Sequence, residues 1–320
     1  MRCLSLAEGL LKKQVDVLFC CKMSDEFYSN IVCSKGFKLY LLQNTSLEIE
    51  LEQLNRQIEK FKPDVIILDG YSFDYDYQKR INENHALIVD MAWENDFRSL
   101  ADIVINQNIW ASADDYKGQV PAHTRMLLGT KYALVPSNFA NSTKETQENC
   151  NNILITFGGG INSKYGIDIY NILKTHHYNY TVALSSSIDW HKDECNQRLR
   201  IVRGSYDLYP LMRYADMAIC APGAISWELC CLGIPFLTYV TSKNQEPTAQ
   251  GLHLYGAAIH MGWIDWLDPV ILKQTVTELA GNYDKRKNMS NKGKTLVDGH
   301  GVERVVKEII SLISQNVKGG

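Results

Sequence analysis

Strand-length apolar runs alternate with segments of helical periodicity along almost the whole chain. This alternation restricts the fold to parallel sheets covered by helices, an α/β class. Leu4, Leu6, Ala7, Leu10 and Leu11 recur at helical spacing, and Val15 to Cys20 then reads as a buried strand. Leu47, Leu51, Leu54 and Ile58 form one stripe of an amphipathic helix over 47–61, closed by Pro63. Strands follow at 65–69 (VIILD), 85–90 (HALIVD) and 101–106 (ADIVIN). A polar stretch over 138–152 has no apolar periodicity, and beyond it the alternation resumes. The second series comprises strands within 153–160, 180–187, 199–204, 216–223 and 234–240, with helices over 225–232, 270–279 and 302–313.

Two series imply two domains, and 320 residues provide for a core in each. The expected division is an N-terminal domain over 1–138, a linker over 139–152 and a C-terminal domain over 153–320. The opening is unusual. The first strand of a doubly wound domain sits at the centre of its sheet, yet this chain opens inside a helix. Without a first strand the sheet would hold a central slot flanked by unpaired backbone groups; a different topology is the alternative.

The net charge of −3 and the lack of a basic run exclude nucleic acid and a polybasic membrane patch as partners. No apolar run approaches the ~20 residues needed to span a bilayer, so no membrane insertion is expected. The nine cysteines are odd in number, form no CxxC and lie mostly in apolar runs, which reads as reduced thiols in a cytoplasmic protein. No Cys or His pairs stand at zinc-ligand spacing, and the adjacent His176 and His177 cannot share a helix face, so no metal is expected.

Ligands of open α/β sheets sit beyond the carboxyl ends of strands, and three such ends in the second series are unusual. The first is the FGGG turn, 157–160, whose glycines allow close backbone approach to an anion; a strand-end turn often uses glycine anyway. The second is APGAISWELCCLGIP, 221–235, where a Pro222–Gly223 turn leads into a helix with Ser226 in its first turn. The amino end of that helix suits a pyrophosphate, and Glu228 lies where it could accept from both ribose hydroxyls. Capping of the first turn is the competing account of Ser226 and Glu228. The third is SKNQEPTAQGL, 242–252, with Asn244, Gln245 and Glu246 ahead of a helix whose first turn accepts Pro247; a solvated loop is the alternative. Together the three make a joint nucleotide site. In the N-terminal half, LDGYSFDYDYQ puts Asp69 just past a strand, with Tyr71, Asp74 and Asp76 following; these could bind sugar hydroxyls or cap a helix. Asp90 also ends a strand.

These stretches, with RCLSLA (2–7), INQN followed by ADDYKGQVP (105–121), RMLLGTKYAL (125–134) and ITFGG (155–159), resemble the UDP-2,4-diacetamido-2,4,6-trideoxy-β-L-altropyranose hydrolases of pseudaminic acid biosynthesis, relatives of the MurG-type glycosyltransferases. The resemblance implies a GT-B-like fold, two Rossmann-like domains with parallel sheets facing across a cleft. It implies release of UDP from the sugar by water attack at the anomeric carbon, with no metal and no cofactor. It carries UDP contacts onto Glu228 and Asn244, with backbone help from Gly158, Gly159, Gly223 and Ala224, and places Asp69 and Tyr71 on the sugar side. Arg2 matches the arginine of the family's Gly-x-Gly-His-x-x-Arg loop, so the histidine base of that loop would precede Met1, and none of the eight histidines takes its place. The expectation for these 320 residues is therefore UDP binding with weak or absent hydrolysis. A MurG-like UDP-sugar glycosyltransferase and a non-catalytic UDP-binding relative are the rival functions.

Overall fold

A computed structural model describes residues 1–22, 26–43, 46–81, 86–92, 98–142, 144–158, 160–190 and 197–319. In chain order the elements are α1 (Arg2–Leu11), β1 (Leu18–Cys21), α2 (Glu26–Ser34), β2 (Lys38–Leu41), α3 (Leu47–Phe61), β3 (Val65–Leu68), α4 (Tyr75–Ile81), β4 (Leu87–Met91), β5 (Ile103–Asn106), β6 (Arg125–Leu128) and α5 (Ser137–Ala140). They continue as β7 (Asn152–Thr156), α6 (Tyr165–Leu173), β8 (Asn179–Leu184), β9 (Leu199–Arg203), α7 (Tyr209–Tyr214), β10 (Met217–Cys220), α8 (Ala224–Leu232), β11 (Phe236–Val240), α9 (Glu246–Tyr255), β12 (Ala258–Trp263), α10 (Pro269–Gly281), α11 (Tyr283–Leu296) and α12 (Gly301–Gly319).

The chain divides into two compact units: Met1–Gln107, Ala111–Leu134 and Val302–Gly320 form the first, and Asn108–Trp110 with Val135–Gly301 form the second. These limits differ from those expected of the sequence. The closing helix α12 belongs to the first unit, because Val302, Val305, Val306 and Ile309 join Leu6, Leu10, Val89 and Ile103 in one apolar cluster. A helix whose apolar stripe is buried belongs with whatever buries it, and chain order does not decide that. The polar stretch over 138–152 is likewise docked on the second unit. Phe139 packs edge-on against Tyr209 with ring centroids 4.9 Å apart. The guanidinium of the fully buried Arg286 donates to the carbonyls of Gln147 (3.0 Å) and Glu148 (2.7 Å).

Among the described residues every strand pairing is parallel. The second unit holds one six-stranded sheet in the order β12-β11-β10-β7-β8-β9. Its core gathers Ile153, Ile155, Val182 and Ile219 from the sheet with Ile169, Leu173, Leu272 and Val276 from α6 and α10. The first unit holds two separate sheets, β1-β2 and β3-β4-β5-β6. On α3, Leu51, Leu54 and Ile58 are buried as the stripe requires, but Leu47 is exposed and Glu50 takes a buried place instead. The Glu50 carboxylate accepts from the Tyr77 hydroxyl at 3.1 Å and pairs with Lys22, which is how a charge survives there. The strands β2, β6 and β12 and the polar helix α11 were not anticipated from periodicity. His85, the expected start of a strand, lies outside the described residues.

Cys150, Cys220, Cys230 and Cys231 are buried, Cys3, Cys20 and Cys21 are partly buried, and Cys33 is exposed. Burial raises the pKa of the Cys220 and Cys230 thiols, which keeps them protonated.

Candidate nucleotide site and acidic cluster

In the second unit the chain runs from β7 outward through β8 to β9, then returns to the other side of β7 to lay down β10, β11 and β12. The strand order therefore reverses between β7 and β10, the place where open α/β sheets hold their ligands. The three segments singled out in the sequence follow β7, β10 and β11, which are hydrogen-bonded neighbours. They thus share one end of the sheet, around its switch point.

The β7 turn is made possible by Gly158, which takes φ +83°, where a side chain is strained; the space beside it is open. Gly159 lies outside the described residues. After β10, Gly223 is the N-cap of α8 in an extended conformation, again with open space where a side chain would project. Having no side chain, it makes no side-chain cap, so the first-turn amides of Ala224 and Ile225 get no hydrogen bond from the N-cap residue. Ala224 is exposed, as an anion-binding backbone must be. Ser226 is fully buried, and its hydroxyl accepts from the Gly223 amide at 3.3 Å. The capping account offered for Ser226 is thus the one its contacts support, since it braces the turn from inside.

Glu228 lies one turn into α8, mostly enclosed by protein. No side chain or backbone group hydrogen-bonds its carboxylate among the described residues. Burial, aided by the negative charge of Asp207, pushes its pKa up to about 7. A half-buried acid without a partner is costly in the free protein, and a ligand with two adjacent hydroxyl donors would supply what it lacks.

The β11 turn is held rigidly. Gln245 Oε1 accepts from the Thr241 amide (2.9 Å) and hydroxyl (3.1 Å), and Asn162 Nδ2 donates to Thr241 Oγ1 at 3.3 Å, which ties this turn to that of β7. Gln245 therefore shapes the turn. Asn244 Oδ1 accepts from the Ser242 hydroxyl at 2.7 Å. Pro247 lies in the first turn of α9 as expected, and Glu246 accepts from Trp263 Nε1 at 3.4 Å. The roles of Asn162, Thr241 and Asp207 were not legible in the sequence, because their partners are about 20 to 80 residues away along the chain.

The first unit gathers a second polar cluster beyond β3 and β4. Arg2 at the start of α1 grips Asp69 with Nε at 3.2 Å from each carboxylate oxygen and a terminal nitrogen at 2.7 Å, and donates to the Met91 carbonyl at 3.0 Å. The Cys3 thiol donates to the same carboxylate at 2.9 Å. Burial would raise the pKa of Asp69, but the hydrogen bonds and charge of Arg2 outweigh it and the net direction is down. Asp69 is consequently an ionised ion-pair partner. Asp90 accepts from Gln78 Nε2 (2.8 Å) and Ser99 Oγ (3.0 Å); burial against those donors leaves its pKa up at about 6. Tyr71 is 69% exposed, and Asp74 caps α4 by accepting from the Tyr77 amide at 2.8 Å. No group of three or more His, Cys, Asp or Glu able to hold a metal occurs among the described residues, and no described helix is long and apolar enough to cross a membrane.

No family model matches the chain. Two solved structures superpose over nearly all of it. MurG of Acinetobacter baumannii matches with a TM-score of 0.66 at 15% identity, covering 97% of this chain and 95% of MurG. The complex of Staphylococcus aureus MnaA with UDP matches with a TM-score of 0.67 at 15% identity, covering 98% and 93%. The fold is GT-B. Its two units are Rossmann-like, and the reversal between β7 and β10 in the second is the nucleotide-fold switch point. Among curated proteins, the spore coat polysaccharide biosynthesis protein SpsG of Bacillus subtilis is 24% identical over 287 residues, 84% of this chain and 83% of SpsG. The UDP-2,4-diacetamido-2,4,6-trideoxy-β-L-altropyranose hydrolase of Campylobacter jejuni is 26% identical over 249 residues, 76% of this chain and 88% of the hydrolase. The resemblance carried by the motifs thus extends over most of the GT-B chain.

Proposed function

We propose that the second unit binds the UDP moiety of a nucleotide sugar and that the protein acts on a UDP-2,4-diacetamido-2,4,6-trideoxyhexose, releasing UDP by water attack at the anomeric carbon. The observation that carries this proposal is the Glu228 carboxylate, which has no hydrogen-bond partner among the described residues and lies one turn behind the amino end of α8, where the N-cap Gly223 makes no side-chain cap. The amides of Ala224 and Ile225 and the positive end of the helix would take the diphosphate. The ribose hydroxyls would donate to Glu228, with Gly158 and Gly159 allowing close approach and Asn244 adding a polar contact. The same amides would stabilise UDP as a leaving group, which removes the need for an acid catalyst. Charge at the anomeric carbon would develop as in other glycosyl transfers.

A general base remains to be supplied. Asp69 is held ionised by Arg2, which suits it to binding or orienting more than to accepting a proton. Binding of UDP with slow turnover is therefore the second reading, and the Arg2–Asp69 pair favours it. Titration of UDP by calorimetry tests the nucleotide site; no binding would overturn it. Incubating the UDP-sugar without an acceptor tests the reaction. Release of UDP supports a hydrolase, release only with an added carbohydrate or lipid acceptor supports a MurG-like transferase, and binding without release supports the second reading.

A further inference from the structure

Three residues of the second unit are separated in sequence from the rest of it. The chain leaves the first unit after Gln107, gives Asn108, Ile109 and Trp110 to the second, and is back in the first from Ala111 to Leu134. All three settle on α9, the helix that follows the β11 turn. Trp110 Nε1 donates to Thr248 Oγ1 at 3.1 Å, and the Thr248 hydroxyl donates in turn to Asn108 Oδ1 at 3.5 Å. Ile109 covers Gly251, where an added Cβ would lie 2.4 Å from the Ile109 Cγ2. Positions 248 and 251 are three apart and so share one face of the helix.

The residue types fit a close, specific contact. Thr248 is only 4% exposed, and its hydroxyl both accepts and donates, so this buried polar group is satisfied. Gly251 lies inside α9 and does not take a positive φ. The backbone therefore does not ask for glycine there, and glycine weakens a helix interior relative to alanine. The approach of Ile109 is what requires it.

Thr248 is the third residue of α9, directly behind the β11 turn of the candidate nucleotide site. Within that turn Gln245 is tied to Thr241 and Glu246 to Trp263. Gln245, Glu246 and Thr248 are thus each anchored, whereas Lys243, Asn244 and Pro247 are exposed. The direction in which Asn244 is presented depends on how firmly the first turn of α9 is held. A turn that must be ordered when a ligand arrives costs affinity, and one held beforehand does not.

We infer that Asn108–Trp110 is a clamp on the nucleotide turn, with Trp110, Thr248, Ile109 and Gly251 as positioning residues that act on UDP through Asn244. This inference rests on the nucleotide reading of the second unit. The hydrogen bond from Trp110 fixes the first turn of α9, and Ile109 in the notch at Gly251 fixes the helix one turn further on.

Calorimetric titration of the 320-residue chain with UDP, with a thermal midpoint recorded for every variant, tests the clamp. Thr248→Val keeps the shape and removes the hydroxyl, so it should weaken UDP binding about three- to tenfold, the worth of one neutral hydrogen bond. Thr248→Ser keeps the hydroxyl and should stay within about twofold of wild type. Trp110→Phe should match Thr248→Val, and the double variant should bind no more weakly than either alone, because both remove the same bond. Gly251→Ala should also weaken binding, and adding Ile109→Ala, which withdraws the methyl that the new Cβ meets, should recover it. A general loss of stability would give neither the serine rescue nor the rescue across the contact. Unchanged affinity in Thr248→Val, additive losses in the double variant, or no recovery on shortening Ile109 would each overturn the clamp alone. A wild-type chain that binds no UDP would overturn the nucleotide reading, and the clamp with it.

Discussion

Replacing Glu228 with Gln separates the cost of the lone acid from its use. Folded Glu228 titrates at about 7 against an ordinary 4.5. Between those values the native state keeps a proton that the unfolded chain has released, so this group lowers stability as pH rises through the window. At ~1.4 kcal/mol per pH unit the full displacement is worth ~3 kcal/mol, and partial contact with water reduces this to roughly 2 kcal/mol. E228Q is nearly isosteric and removes the charge. It should therefore leave the thermal midpoint nearly unchanged below the ordinary value of 4.5, for instance near pH 3.5, and raise it at pH 8 by roughly 4–8 °C for a unit of this size. Binding should move the other way. Two charge-assisted hydrogen bonds to ribose weaken to neutral ones, so UDP affinity should fall about 10- to 100-fold, ~1.4–2.8 kcal/mol. The wild-type protein should bind UDP more tightly as pH rises through 7, beyond whatever change E228Q shows over the same range, since the variant isolates titration of the nucleotide itself. Thermal melts near pH 3.5 and at pH 7 and 8, with calorimetry across pH 7, suffice. Parallel stability profiles for the two proteins, together with equal UDP affinity, would refute both the buried acid and its place in the site.

Arg2→Ala strands the Asp69 carboxylate and should destabilise the first unit by about 2–3 kcal/mol in urea unfolding at pH 7. The difference should begin to shrink as pH falls past the ordinary carboxyl value of 3.8 and be lost once it passes through the lower native pKa of Asp69. Asp90→Asn removes an acid whose pKa lies up at about 6, so it should raise the thermal midpoint at pH 8 more than it does below the ordinary value of 3.8, for instance near pH 3; equal shifts at both would disprove the burial effect. Gly158→Val should cost about 1–3 kcal/mol by forcing a branched side chain to φ +83° and should also weaken UDP binding, whereas unchanged affinity would remove the β7 turn from the site. Gly293→Leu should destabilise by several kcal/mol and disturb α8, because even a Cβ there would lie 3.0 Å from the backbone of Cys230, as a urea melt would report.

The elements legible beforehand were those whose burial is local in the sequence. The stripe of α3 and the apolar runs of β5, β7 and β10 declare themselves because a half-buried helix or a strand buried along almost its whole length leaves its period in the chain. The turn residues of the candidate site were legible for the same reason, since Gly158, Gly223 and Pro247 answer to backbone geometry within a few positions. Strand β6, which opens on Arg125, and helix α11, whose polar surface hides Gly293 and Met289, carry no comparable pattern. Their place is set by neighbours far along the chain.

Residue chemistry by itself determined that this is an α/β protein with parallel sheets and that three strand ends of its second series carry glycine- or proline-bearing turns ahead of helices. Only the tertiary structure decided that α12 completes the first unit, that β7, β10 and β11 bring those turns to one switch point, and that Glu228 has no hydrogen-bond partner among the described residues while Asp69 has Arg2. The difference is physical. Backbone preference and burial period act over a few residues, whereas an ion pair such as Arg2–Asp69 or an acid raised by its surroundings depends on which distant segments the core brings together.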